Sequence, residues 1–292
     1  MIINKSLLVA LVLVAGLAGC TKSDRQSDTS GPYTISAAIS GEGASRTELK
    51  NADVLWNTGD KILVVNQNAQ ATQAEYTLAT GAGTTRATFE SRTNLTPGSR
   101  YAFYPYGKDV NFTNNSLAFI LPATQTYKRG SFAVGSNPMV GQSDGSGVLQ
   151  FKNLCGVIKI SITGTQAVSS IVLESSPTEY LSGSMTLSLI PGAPLHAVGG
   201  DLNKVTLDNI NVTLSPDKAT DFYFVVPART YSAGLRVVVY ESPNNMLTTK
   251  ATTKDLVVYR STVAALQTLS ALSFSVTVTG PDNWIEDNIQ NL

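Results

Sequence analysis

The chain has 292 residues, with 21 lysines and arginines against 21 aspartates and glutamates, one histidine and two cysteines. This neutral balance argues against a nucleic-acid partner, which calls for basic charge gathered on one face. A single histidine leaves little for imidazole chemistry or a histidine-rich metal site, so no cofactor, no metal and no enzyme are expected. With 42% hydrophobic residues there is enough apolar side chain for a core, which sets wholesale disorder aside.

The first 19 residues read as an address rather than as fold. Lys5 supplies a short positive start, and the apolar stretch 7–19 is too short to span a bilayer, which takes about 20 residues. It ends in Leu17-Ala18-Gly19-Cys20, which resembles the lipobox of bacterial lipoproteins, where the cysteine is acylated and becomes the first residue. Each buried methylene contributes about 0.8 kcal/mol, so one chain holds weakly and several hold firmly. Residues 20–31 are small and polar and read as a tether. With Cys20 acylated, Cys155 has no disulfide partner; its apolar neighbours predict a buried, inert thiol.

From Tyr33 onward the pattern is one of short, β-branched, alternating runs divided by turn residues. Strands are predicted at 33–39, 61–65, 100–103, 117–121, 157–163, 170–173, 184–189, 205–207, 222–226, 235–240, 256–259 and 274–278, with only 263–272 weakly helical. So many short strands predict an all-β chain, an antiparallel sandwich or barrel. The Gly- and Ser-rich segment 141–147 suggests a boundary, giving an N-terminal domain over 32–146 and a C-terminal one over 147–292.

Chemical motifs are weak. Gly141-Gln142-Ser143-Asp144-Gly145 has the spacing of a hydrolase nucleophile, but that motif needs a strand before the serine and a helix after it. His196 lies in a loop with no acid beside it. The aromatic run 101–106 is predicted to be core plus edge rather than a sugar-stacking platform.

Other segments carry a resemblance. They are Val54-Leu55-Trp56 with Gly59-Asp60-Lys61-Ile62, the run 101–106, and Leu121-Pro122-Ala123-Thr124-Gln125. Phe151-Lys152-Asn153-Leu154-Cys155-Gly156, Phe222-Tyr223-Phe224-Val225-Val226-Pro227, Tyr231 and Gly234-Leu235-Arg236-Val237 follow in order. Together with the lipobox they resemble the fimbrillin family, the type V pilins of Gram-negative anaerobes. The resemblance implies two transthyretin-like antiparallel β-sandwich domains in tandem, in a lipoprotein that forms, caps or anchors a pilus. It further implies export to the outer membrane, removal of the N-terminal segment by an arginine-specific protease, and a neighbouring subunit's strand filling the vacated groove. Partners would be other pilin subunits, the outer membrane through lipid, and a host or bacterial surface ligand.

The residues supply candidates for each part. Tyr33, Ile35, Ala37 and Ile39 lie on one face of the first strand, and Arg46 follows an open loop of small residues where a protease can cut. The alternative is that this strand stays in place, leaving a permanently lipid-anchored adhesin, pilus tip or glycan-binding lipoprotein. Trp284 and Ile285, near the C-terminus, would be wasted in solvent, so that tail either packs on its own domain or is donated to a neighbour, with a terminal helical turn as a competitor. If Cys20 carries the lipid, Cys20→Ala should move the protein from the membrane to the soluble fraction and abolish incorporation of labelled palmitate.

Overall fold

The computed structural model describes residues 31–40, 55–66, 72–95, 100–107, 109–113, 115–143, 147–190, 195–252, 255–266, 268–270 and 284–286. The β-branched and aromatic runs form strands, and no described residue lies in a helix. As far as residue 163 the strands are β1 (Tyr33–Ile39), β2 (Lys61–Asn66), β3 (Gln73–Thr80), β4 (Arg86–Ser91), β5 (Arg100–Tyr104) and β6 (Asn111–Thr113). They continue with β7 (Ser116–Leu121), β8 (Thr124–Lys128), β9 (Ser131–Phe132), β10 (Met139–Ser143), β11 (Val148–Asn153) and β12 (Cys155–Thr163).

Seven of these close into a barrel in the order β1-β11-β10-β5-β2-β3-β4. Closure leaves no unpaired edge. Trp56 fills the interior, fully buried, with Phe89, Phe151 and Tyr104 edge-on to its ring at 4.9, 5.1 and 5.7 Å between centroids. Successive side chains of a strand point to opposite faces. In β5 that places Ala102 and Tyr104 in the barrel core and sends Tyr101 and Phe103 into a second core with Phe119, Leu121, Met185 and Leu187.

That second core underlies a four-stranded sheet in the order Ala197–Gly199, Gly183–Ser188, β7, β6. A seven-stranded sheet runs Trp284–Glu286, Asn245–Thr252, Arg236–Ser242, Ser170–Glu174, Lys204–Asp208, β8, β9. A further sheet sets β12 between Thr220–Pro227 and Val263–Ala265. Ile158, Ile160 and Ile162 of β12 meet Phe222, Phe224, Val237 and Val239 in a third core.

Several expectations are refined. The segment 141–147 joins two strands that pair antiparallel, Ser143 opposite Leu149, so a boundary at 146 falls inside a barrel hairpin. Strands β6 to β8, which precede that segment, pair with or lie beside strands that follow it, and Pro32–Leu292 form one compact unit. Antiparallel pairing dominates, yet β1 runs parallel to β11, β8 to Lys204–Asp208, and β12 to both Val263–Ala265 and Leu269–Ser270. The weak helical pattern at 263–272 is overridden in its described part by these last two pairings, which take the backbone groups a helix would need. The strand predicted at 274–278 lies outside the described residues.

Two buried polar side chains pin the outer elements. Gln125 faces the edge strand Thr220–Pro227 as a further strand would, its Nε2 donating to Val225 O at 2.7 Å and its Oε1 accepting from Val225 N at 2.9 Å. An edge met in this way is closed to foreign strands at that point. Glu179, 7% exposed, accepts hydrogen bonds from Ser232 N at 2.7 Å and Ser232 Oγ at 2.6 Å, with Ala233 N at 3.4 Å. Burial alone would raise its pKa, but these donors and the charge of Arg229 outweigh it and hold the carboxyl below its ordinary 4.5. A folded-state pKa below the unfolded value stabilises the fold above the unfolded pKa and ceases to do so as pH falls through the folded one. Glu179→Gln is therefore expected to cost about 1–2 kcal/mol at neutral pH, with the gap to wild type closing as urea titrations move below pH 4.5.

Candidate functional site

Strand β1 is held on both sides. Against β4 it runs antiparallel with six register pairs from Tyr33↔Ser91 to Ala38↔Arg86, and against β11 parallel with four from Ser36↔Val148 to Ile39↔Phe151. The ladder ends with Ile39 N donating to Thr85 O and Ser40 N donating to Phe151 O, both at 2.9 Å. Ile35, Ala37 and Ile39 all enter the barrel core beside Trp56, Phe89 and Phe151. Tyr33, at the strand's start, is half-buried and outside that core, while Ala38 is buried on the opposite face.

The walls on either side of β1 are built for it. Phe89 of β4 is the register partner of Ile35, and Phe151 of β11 is the partner of Ile39. The Phe151 ring lies over Gly141 of β10, where an added Cβ would meet ring carbons at 2.8 Å. Only glycine permits that approach, which accounts for one residue of the hydrolase-like motif. The motif's Ser143 ends a barrel strand whose next described element is β11, so no strand–serine–helix elbow forms among the described residues. His196 is exposed, and no group of three or more His, Cys, Asp or Glu could hold a metal ion among the described residues.

Below the Trp56 ring the turn 57–60 places a buried carboxylate. Asp60 accepts from Asn57 N at 2.7 Å and from the Tyr104 hydroxyl at 2.9 Å. Burial raises the Asp60 pKa, with both hydrogen bonds opposing, and burial together with the Asp60 charge pushes the Tyr104 phenol well up. The resembling residues Trp56, Gly59, Asp60 and Tyr104 thus act together as a barrel brace. Tyr104 is 1% exposed and closed to any ligand, whereas Tyr106 is 43% exposed. Cys155 is fully buried, and burial drives its thiol far up, out of reach of reaction at neutral pH.

The other candidates fall elsewhere. Cys20 and Arg46 lie outside the described residues. Trp284–Glu286 forms a strand, not a helical turn, paired antiparallel with Asn245–Thr252 at the edge of the seven-stranded sheet, with Ile285 opposite Ala251. The tail and β1 therefore belong to different sheets. Sequence reasoning missed the Asp60–Tyr104 brace and the Gln125 plug, since only the fold brings residues 44 and 100 positions apart into contact.

No protein-family model and no curated protein matches this chain. Among solved structures it is similar to a provisionally assigned cell adhesion protein of Bacteroides ovatus, with TM-score 0.54 and 12% identity over 88% of this chain and 96% of that one. A provisionally assigned cell adhesion protein of Bacteroides uniformis gives 0.44 at 15% identity over 72% of this chain and 80% of its own. A fimbrial protein of Bacteroides ovatus gives 0.39 at 9% identity over 84% and 52%. The first of these likenesses is one of fold, and it agrees with the all-β architecture that the sequence resemblance implies.

If β1 is an integral wall of the barrel, Ile35→Ala should lower the unfolding free energy by about 2–5 kcal/mol. Urea denaturation reads the effect, and a loss under about 1 kcal/mol would mean that β1 lies outside the cooperative unit.

Proposed function

We propose that the protein is a structural subunit of a cell-surface fimbrium, exported as a lipoprotein and assembled by exchange of its first strand for one from a neighbour. The observation that carries this reading is the position of β1, a single N-terminal strand inserted between β4 and β11. Arg46 lies between β1 and β2 in sequence, so a cut after it severs every covalent link between β1 and the barrel. Release would uncover the sites of Ile35 and Ile39, worth about 1.5–3 kcal/mol each as an upper estimate. It would also leave one side of β4 and of β11 without hydrogen-bond partners. A strand from another chain restores both the burial and the ladder, which is the physical basis of strand addition.

In this reading Cys20 carries lipid to the outer membrane, and the mature subunit passes to the extracellular fimbrium with other subunits as its partners. The fold shared with a Bacteroides protein provisionally assigned to cell adhesion supports a surface role. The chain acts by binding, not by catalysis. The exposed His196 and the strand-bound Ser143 support that assignment.

One observation favours a second reading. The double ladder of β1 inside a closed barrel makes the uncut chain a stable end state, suited to a permanently lipid-anchored adhesin, tip or anchor. In that case Tyr106, not the buried Tyr104, is the aromatic open to a surface ligand. Arg46→Ala in the native cells separates the two. The fimbrial reading expects loss of detergent-resistant ladders on gels and retention of the uncut chain in the membrane. Unchanged ladders would contradict processing at Arg46.

A further inference from the structure

A cavity of about 350 Å³ opens beside the β8–β9 hairpin, well away from β1. Its walls come from the turn at Arg129 and Gly130 and from the segment 212–221 that leads into Thr220–Pro227. The volume lies in the range of small-molecule pockets and exceeds what an inorganic anion needs. Thr213, Ser215 and Thr220 line it with hydroxyls, and Arg129 and Lys218 bring two cationic groups to it.

The charges are not balanced within the fold. Asp221 is the lining carboxylate, and its own strand neighbours engage it: Ser161 Oγ donates to Oδ1 at 2.5 Å, Tyr223 OH donates to Oδ2 at 3.4 Å, and Lys159 Nζ stands 3.4 Å from Oδ2. Asp217 shares the loop with Lys218 but does not line the cavity. Arg129 and Lys218 are exposed and form no ion pair or hydrogen bond among the described residues. Two uncommitted cations beside a neutralised aspartate leave the cavity net positive.

The remaining wall is aromatic. The Tyr127 ring packs on Phe222 with centroids 5.4 Å apart, and its hydroxyl is buried with no hydrogen-bond partner among the described residues. A guanidinium fork matches a carboxylate, an ammonium adds a second charge, and the three hydroxyls can both donate and accept. A ligand satisfying all of them carries one carboxylate and several hydroxyls.

We propose that this cavity binds a carboxylate-bearing sugar, a uronic or sialic acid residue of a surface glycan, held by Arg129 and Lys218 at the carboxylate and by Thr213, Ser215 and Thr220 at the ring hydroxyls. The site lies outside the barrel, so it functions in the uncut chain and does not depend on strand exchange.

Ligand-observed NMR and calorimetry on the purified uncut protein test it, with glucuronic acid and N-acetylneuraminic acid as probes and glucose, acetate and inorganic sulfate as comparisons. The acidic sugars should bind at least about tenfold more tightly than glucose or acetate, and weaken as salt rises from about 50 to about 500 mM. The double variant Arg129→Ala, Lys218→Ala should lose binding by about tenfold or more with its melting temperature unchanged. The distant Lys204→Ala should bind as wild type does. Absence of acidic-sugar binding, equal binding of glucose, or full binding by the double variant would each overturn the site. Acetate or sulfate binding as tightly as the acidic sugars would overturn the saccharide assignment and leave a general anion site.

Discussion

The barrel is organised around one insertion, that of β1 between β4 and β11. A barrel without that strand would present two unpaired edges and an open path to Trp56, which is buried among Phe89, Tyr104 and Phe151, three of the ring contacts found among the described residues. Parallel pairing with β11 matters here, because consecutive strands of a meander cannot supply it. The chain must lay β1 down first in sequence and receive β11 beside it more than a hundred residues later. Closure is thus a long-range event, and the strand that achieves it is also the one most easily separated by a single cut.

The strand content was legible from residues, and its arrangement much less so. Alternation and β-branched composition marked β1, β2, β5, β7 and β12 to within a residue or two, because each has a face committed to a core. Strands β3 and β4 passed unmarked because outward positions such as Gln73, Arg86 and Glu90 dilute the signal, and Asn245–Thr252 because its buried positions Thr248, Thr249, Lys250 and Thr252 are themselves polar. The Gly-rich segment 141–147 looked like a linker because a hairpin turn and a linker use the same residues. For the site, the inward set Ile35, Ala37 and Ile39 was visible in the sequence. The Asp60–Tyr104 contact was not, for nothing local to either residue indicates the other.

The aromatic run 101–104 shows how one strand serves two purposes. Its even and odd positions build separate cores, so barrel and four-stranded sheet share a wall. A change in that wall reaches both sides. The cavity formed by the β8–β9 hairpin and the segment before Thr220–Pro227 stands apart from that wall, so the proposed ligand capture and the proposed assembly use different parts of one chain.

The most direct measurement is the intact mass and N-terminal sequence of the protein sheared from native cells. The account predicts a chain beginning at Thr47, without lipid, in high-molecular-weight ladders. A chain beginning at acylated Cys20, released only by detergent and still carrying β1, would contradict strand exchange and leave the protein a permanently anchored adhesin.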